Sequence, residues 1–176
     1  YMSQAGGSPS ISFVKAYVER GLKQAGIKMM GNGEFAELYL PNFTDDVIGT
    51  ISVAHESEKN SNPLNKLMRE PLVKMYGDKG VTDIASVAAW DGTALIYMAL
   101  KEAGANADGM KYVEAMKGKT VESPRGKFMI DPVERDIVQD IYIRRIDKIG
   151  GKLVNTDIAS VPMVKDPWKQ DNPPKQ

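Results

Sequence analysis

The chain carries one histidine, His55, and no cysteine. That pair of facts removes several chemistries together. Cysteine nucleophiles, disulfides and zinc–thiolate sites are excluded, and so is a metal site built from several histidines. A Ser-His-Asp triad would have to use His55 itself. There is no Gly-x-Ser-x-Gly elbow, no Walker loop and no dinucleotide fingerprint, and Gly31-x-Gly33 is too short to count as one. The reactive types that remain suit holding a small molecule better than breaking one. Gln4-Ala5-Gly6-Gly7-Ser8 and Gly31-Asn32-Gly33-Glu34 offer free backbone N–H groups and a carboxylate. Trp90 adds an aromatic ring, and the carboxylate of Asp91 reads as a structural anchor rather than a ligand contact.

The elements that must position these residues follow from periodicity. Residues 1–3 resemble the end of a strand. The turn after them leads into a helix in which Ser8 can cap and Pro9 takes the first position, where its missing N–H costs nothing. Ile11, Val14, Val18, Leu22 and Ala25 give that helix one apolar face, and Gly26 ends it. A short strand over 27–30 completes a strand–helix–strand unit, the unit of a parallel α/β sheet. Both glycine-containing loops thus fall where strands meet helices, the edge at which ligands bind in open α/β folds. Each has a plainer alternative, a tight turn with a cap for the first and a solvated carboxylate for Glu34.

Residues 35–46 hold a short helix and a loop, and 47–54 read as a buried strand. The polar stretch 55–62 has no apolar rhythm and reads as a connection. A helix over 62–76 contains Pro71, which should kink or divide it. Residues 83–102 form the strongest helix, with Ile84, Val87, Ala88, Ala94, Leu95, Met98 and Ala99 on one broad face. Asp91 falls near the middle of that face and needs a donor, because an unpaired buried carboxylate is costly. Trp90 and Tyr97 share the flank; Tyr97 reads as structural, and Trp90 is either a ligand wall or a core aromatic. A helix capped by Asp108 spans 109–116. Strands over 128–130 and 137–146 follow, then a Gly150-Gly151 turn and a strand over 152–160. Residues 166–176 read as a poorly ordered tail. The groups Glu134/Arg135/Asp136 and Arg144/Arg145/Asp147 read as exposed ion pairs.

The 176 residues, 42% hydrophobic and 26% charged, have the make-up of a soluble globular protein. Lys plus Arg and Asp plus Glu are both 23, so no basic field exists to gather nucleic acid. No apolar run approaches a membrane span.

Several segments then resemble one family in order. The run Ser86-Val87-Ala88-Ala89-Trp90-Asp91-Gly92-Thr93-Ala94-Leu95-Ile96-Tyr97 is similar to its aromatic-Asp-small helix, with an Ala-Leu-Lys-Glu-Ala-Gly end over 99–104. Glu122-Ser123-Pro124-Arg125-Gly126 followed by Phe128-Met129-Ile130-Asp131-Pro132 is similar to its Gly-Pro-Arg-Gly hairpin. Arg135-Asp136-Ile137-Val138-Gln139-Asp140 resembles the strand after it, and Asn62-Pro63-Leu64-Asn65-Lys66 and Lys74-Met75-Tyr76-Gly77 resemble the ends of the preceding helix. The family is the type I periplasmic solute-binding proteins, in the branched-chain amino-acid (Leu/Ile/Val) group of ABC-transporter receptors. The chain resembles its C-terminal portion.

The resemblance implies an α/β fold of two three-layer parallel-sheet lobes. It assigns residues 1–54 to the C-terminal lobe, 55–140 to the N-terminal lobe, 141–165 to the C-terminal lobe again, and 166–176 to a tail. It implies a periplasmic, non-enzymatic receptor without cofactor or metal, whose parent carries a signal peptide. The receptor would take a branched-chain amino acid or related amide and present it to an ABC permease in the membrane, together with the missing N-terminal part of the same protein. Gln4, Gly6, Gly7, Glu34, His55 and Trp90 would line the cleft. Either Glu34 or Gly33 falls at the position of the acid that receives the ligand ammonium; with Gly33 there the clamp is absent and the ligand is not a standard amino acid. A lone histidine such as His55 is also commonly structural or solvated. Two other functions remain open on the sequence: a cytosolic sensor of the same fold that controls a partner protein, and, more weakly, an α/β hydrolase.

Overall fold

A computed structural model describes residues 7–58 and 60–172. The strand reading of residues 1–3 lies outside them. Helix α1 (Ser8–Glu19) starts with Gly7, not Ser8, at the capping position, and Pro9 lies in its first turn. It is shorter than the apolar face suggests, because Gly21 and Gly26 both take positive φ and residues 20–26 form turns. Strand β1 is only Met30–Gly31. Three short 3-10 turns cover Gly33–Phe35, Leu40–Asn42 and Asp45–Val47. The third of these shortens the strand expected over 47–54 to β2 (Ile51–Ala54).

Helix α2 (Pro63–Tyr76) keeps Pro71 within one unbroken helix, and the Asn62 side chain caps it by accepting from Leu64 N–H. Helix α3 (Ile84–Ala103) has a reciprocal cap. The Asp83 carboxylate accepts from the N–H groups of Ala85 and Ser86, and the Ser86 hydroxyl accepts from Asp83 N–H. Helix α4 (Gly109–Met116) is capped by Asp108 as its sequence predicts. Strand β3 (Thr120–Val121), too short to show a period, was not legible beforehand. The chain ends in β4 (Phe128–Ile130), β5 (Ile137–Ile149), β6 (Lys152–Val164) and α5 (Pro167–Asp171), so the first part of the presumed tail is helical, capped by Asp166.

One mixed sheet joins all six strands. Among the described residues only β1 and β2 pair in parallel; the remaining pairs are antiparallel. Strand β5 organises the sheet. One of its edges carries β6 along nearly its whole length. The other edge is shared: β4 pairs with residues 137–139 and β2 with residues 142–145. The β3–β4 and β1–β2 ladders are therefore held by successive parts of one strand. The β5–β6 register slips twice, and Met163, at positive φ after Pro162, lies in one of the slips.

Val14, Phe35, Leu40, Val47 and Ile146 form the core beside β2 and β5, with Phe13, Met29, Phe43 and Leu153 against it. The Phe35 and Phe43 rings meet at 5.5 Å and 56°. The helical half is less well covered. Leu67, Val73, Met75 and Tyr76 of α2 are exposed, as are Ile96 and Tyr97 of α3, and Tyr97 is 69% accessible. Ala88, expected on the covered face of α3, is exposed too. No helix among the described residues is long and apolar enough to cross a membrane.

Candidate functional site

Each proposed site residue can now be located. Gln4 and Gly6 lie outside the described residues. Gly7 has φ 87 and leads into α1, where its carbonyl accepts from Ile11 N–H. Glu34 is partly buried, and its carboxylate accepts from the N–H of Asn32 at 2.8 Å. One oxygen thus serves the turn it belongs to. The turn faces the start of α3: a Cβ placed on Gly33 would lie 3.7 Å from Ile84 Cδ1. Trp90 sits part-buried further along that helix. The structure brings the Gly31-to-Glu34 turn and the first residue of α3 together, which sequence order alone could not do.

His55 follows β2 directly and is partly buried. Burial, then the nearby Arg125 and Arg144 cations, pushes its pKa down from 6.5 to about 4, so the ring is neutral at ordinary pH. Arg125 is committed elsewhere. Its Nε donates to Asp91 Oδ2 at 2.7 Å, its Nη1 donates to Gln139 Oε1, and its guanidinium lies 4.8 Å from the Phe128 ring centroid. Both members of the Asp91–Arg125 pair are buried. Asp91 thus finds the donor its position requires, and it joins α3 to the loop before β4.

The connection over 55–62 is pinned at several points. Asn60 Nδ2 donates to Tyr142 Oη at 3.0 Å and to Arg125 O at 3.4 Å, and Asn62 Nδ2 donates to Ser123 O at 2.7 Å. The Tyr142 hydroxyl also donates to Arg125 O. At the start of the connection lies a cluster that sequence reading missed. Arg144, expected in an exposed ion pair, is fully buried. Its Nη1 donates to Glu56 O at 3.2 Å and stands 3.5 Å from Glu37 Oε2 and 3.6 Å from Glu56 Oε1. The available signal was strand alternation: Tyr142, Arg144 and Ile146 share one face of β5, and Ile146 is core. Arg145 and Asp147, on the opposite face, do make the partly exposed pair expected of them.

Two pockets, of about 430 and 640 Å³, are large enough for a small molecule. Neither is lined by Gly7, Glu34, His55 or Trp90. Glu34 lines a space of about 40 Å³ between α1 and β1. Among the described residues no group of His, Asp and Glu side chains could hold a metal ion.

A family model described as periplasmic binding protein matches residues 1–152. The chain belongs to the periplasmic binding protein family. A Leu/Ile/Val-binding protein homolog of Brucella melitensis is 34% identical over 163 residues, which are 92% of this chain and 42% of the relative. A solute-binding protein of an ABC transporter from Rhodopseudomonas palustris, solved with 4-hydroxybenzoate, is 38% identical with a TM-score of 0.88, over 94% of this chain and 45% of that one. Another from the same species, solved with p-hydroxybenzoic acid, is 35% identical with a TM-score of 0.86, over 93% of this chain and 45% of that one. A leucine-binding protein of Thermotoga maritima shares the fold at 18% identity and a TM-score of 0.65, over 89% of this chain and 43% of that one. The chain thus spans less than half the length of these relatives. The solved relatives at 35% and 38% identity are solute-binding proteins of ABC transporters, and the α/β fold expected from the resemblance is the one observed. The parallel sheets expected are not: among the described residues the pairing is mostly antiparallel.

Proposed function

We propose that this chain forms part of the periplasmic substrate-binding component of an ABC importer, which closes two lobes around a small-molecule ligand and hands it to a membrane permease. The observation that carries this reading is the family match over residues 1–152. The lobes would divide as the resemblance implies: 1–54 and 141–165 in one, 55–140 in the other. The shared edge of β5 supports that division, because it changes partner between residues 139 and 142. A cleft between lobes needs both walls, which fits the absence of Glu34, His55 and Trp90 from the linings of the 430 and 640 Å³ pockets. The part of the receptor that this chain does not span would complete the cleft and cover the apolar faces of α2 and α3.

The ligand we propose is a branched-chain amino acid or related amide, a reading the Leu/Ile/Val-binding relatives support. A second reading is a hydroxylated benzoic acid. It is supported by the solved structures at 35% and 38% identity, which hold such acids. It is supported also by Glu34, whose carboxylate is partly engaged by Asn32; a ligand without an ammonium needs no carboxylate partner. Gln4, Gly6, Gly7, Glu34, His55 and Trp90 remain the proposed contacts. A thermal-shift screen of the full-length protein against aliphatic amino acids, their amides and substituted benzoates tests both readings. Ligand at a hundred times its Kd should stabilise the folded state by about 2.7 kcal/mol. A shift with benzoates alone selects the second reading, and no shift with any of them rejects the ligand class.

A further inference from the structure

Arg144, Glu37 and Glu56 occupy the point where the chain leaves β2 for the connection to α2. Five segments meet there. Ser52 on β2 pairs with Arg144 on β5. Asn155 on β6 donates to Phe35 O at 2.7 Å and to Glu37 Oε1 at 2.9 Å. Glu56 opens the connection itself and gives its backbone carbonyl to Arg144. Glu56 and Arg144 are both fully buried, and Glu37 is 5% accessible. One guanidinium therefore faces two buried carboxyl groups, which leaves an excess negative charge if both ionise. Among the described residues neither Glu56 carboxyl oxygen has a hydrogen-bond partner, and Glu37 Oε2 has none. An ionised carboxylate without donors is among the most expensive groups to bury. A bound proton removes the repulsion and turns one carboxyl into a donor.

We propose that Arg144, Glu37 and Glu56 form a proton-holding lock that fixes how the chain leaves β2, and that losing the proton loosens this connection. The surrounding groups agree in sign. Burial, then Glu37, with further contributions from Asp83 at the start of α3 and Asp157 on β6, raises Glu56 from 4.5 to about 8 against the opposing pull of Arg144. Glu37 is raised by burial too, against Arg144 and Asn155, with Glu58 adding to the rise, and Asp157 is raised by burial. His55 lies beside this cluster and acts oppositely, because its pKa is lowered to about 4. A lowered histidine makes stability rise with pH between about 4 and 6.5 and is silent above that range. A raised carboxyl makes stability fall as pH climbs from 4.5 to about 8. The interval from 6.5 to about 8 therefore reports on the carboxyl pair without the histidine.

The test uses the full-length protein without ligand. Its melting temperature should fall across that interval, and Glu56→Gln should flatten the fall. A slope unchanged by the substitution overturns the lock. Infrared spectroscopy of the unsubstituted protein decides the matter even if the variant does not fold. A protonated-carboxyl band should be present at neutral pH and vanish as pH passes about 8; its absence at neutral pH overturns the proposal. A consequence for ligand affinity rests on the two-lobe reading above, but the melting and infrared results do not. A protein that shows the band and the slope yet binds no tested ligand would keep the lock and lose the proposed function.

Discussion

Arg125 joins three parts of the chain through one side chain: Asp91 on α3, Gln139 on β5 and the Phe128 ring on β4. With 6% and 4% of their side chains accessible, Arg125 and Asp91 are a buried pair, and the cost of breaking it differs from its net worth. Asp91→Ala would leave a buried guanidinium without its carboxylate. It should destabilise the protein by about 3–5 kcal/mol in chemical denaturation. Asp91→Asn, which keeps an acceptor, should cost less. Equal losses from the two would mean that shape, not charge, holds the contact. Asp91 was legible as a group that needs a partner, because helical spacing puts it on the apolar face. Its partner was not, because Arg125 is 34 residues away and only the tertiary fold brings it close.

Among the elements, α2 and α3 depend on glycine in opposite ways. A Cβ on Gly80 would lie 2.2 Å from Leu72 O, so the turn after α2 is packed directly onto the helix backbone. Gly92, inside α3, has nothing within 4 Å of the same construction. Gly80→Ala should therefore destabilise by about 1–3 kcal/mol. Gly92→Ala should instead stabilise by about 0.5–1 kcal/mol, because alanine loses less backbone freedom in a helix. Thermal melts of the two variants check both signs. The existence of α2, α3, α4 and the β5–β6 hairpin was legible from periodicity, capping residues and the Gly150-Gly151 turn. The extent of β1 and β2 was not. Their neighbours Gly33–Phe35 and Asp45–Val47 close into 3-10 turns, and the strand-like composition over 47–54 conceals the second of them.

At the scale of the molecule, the two halves differ in coverage. The region around Phe35 and Ile146 has a closed core, whereas α2 leaves Leu67, Val73, Met75 and Tyr76 in solvent. Four large apolar side chains on one helix exceed what a finished surface normally gathers there. Produced alone, the chain should bind a hydrophobic dye more strongly than the full-length protein and should bind the proposed ligands weakly or not at all. Titration calorimetry and dye fluorescence measure the two effects. Tight binding by the isolated chain would overturn the proposed lobe boundaries.

The sequence by itself determined the order of the main elements, the cap of α4, and the family resemblance that the match over residues 1–152 bears out. These rest on local spacing, which a linear reading preserves. Only the tertiary structure decided that β5 divides one edge between β4 and β2, and that Arg144 lies buried between Glu37 and Glu56. The physical reason is distance along the chain. The β2 partners of β5, and Glu56 opposite Arg144, lie 88 residues or more away along the chain, and neither hydropathy nor period carries that information.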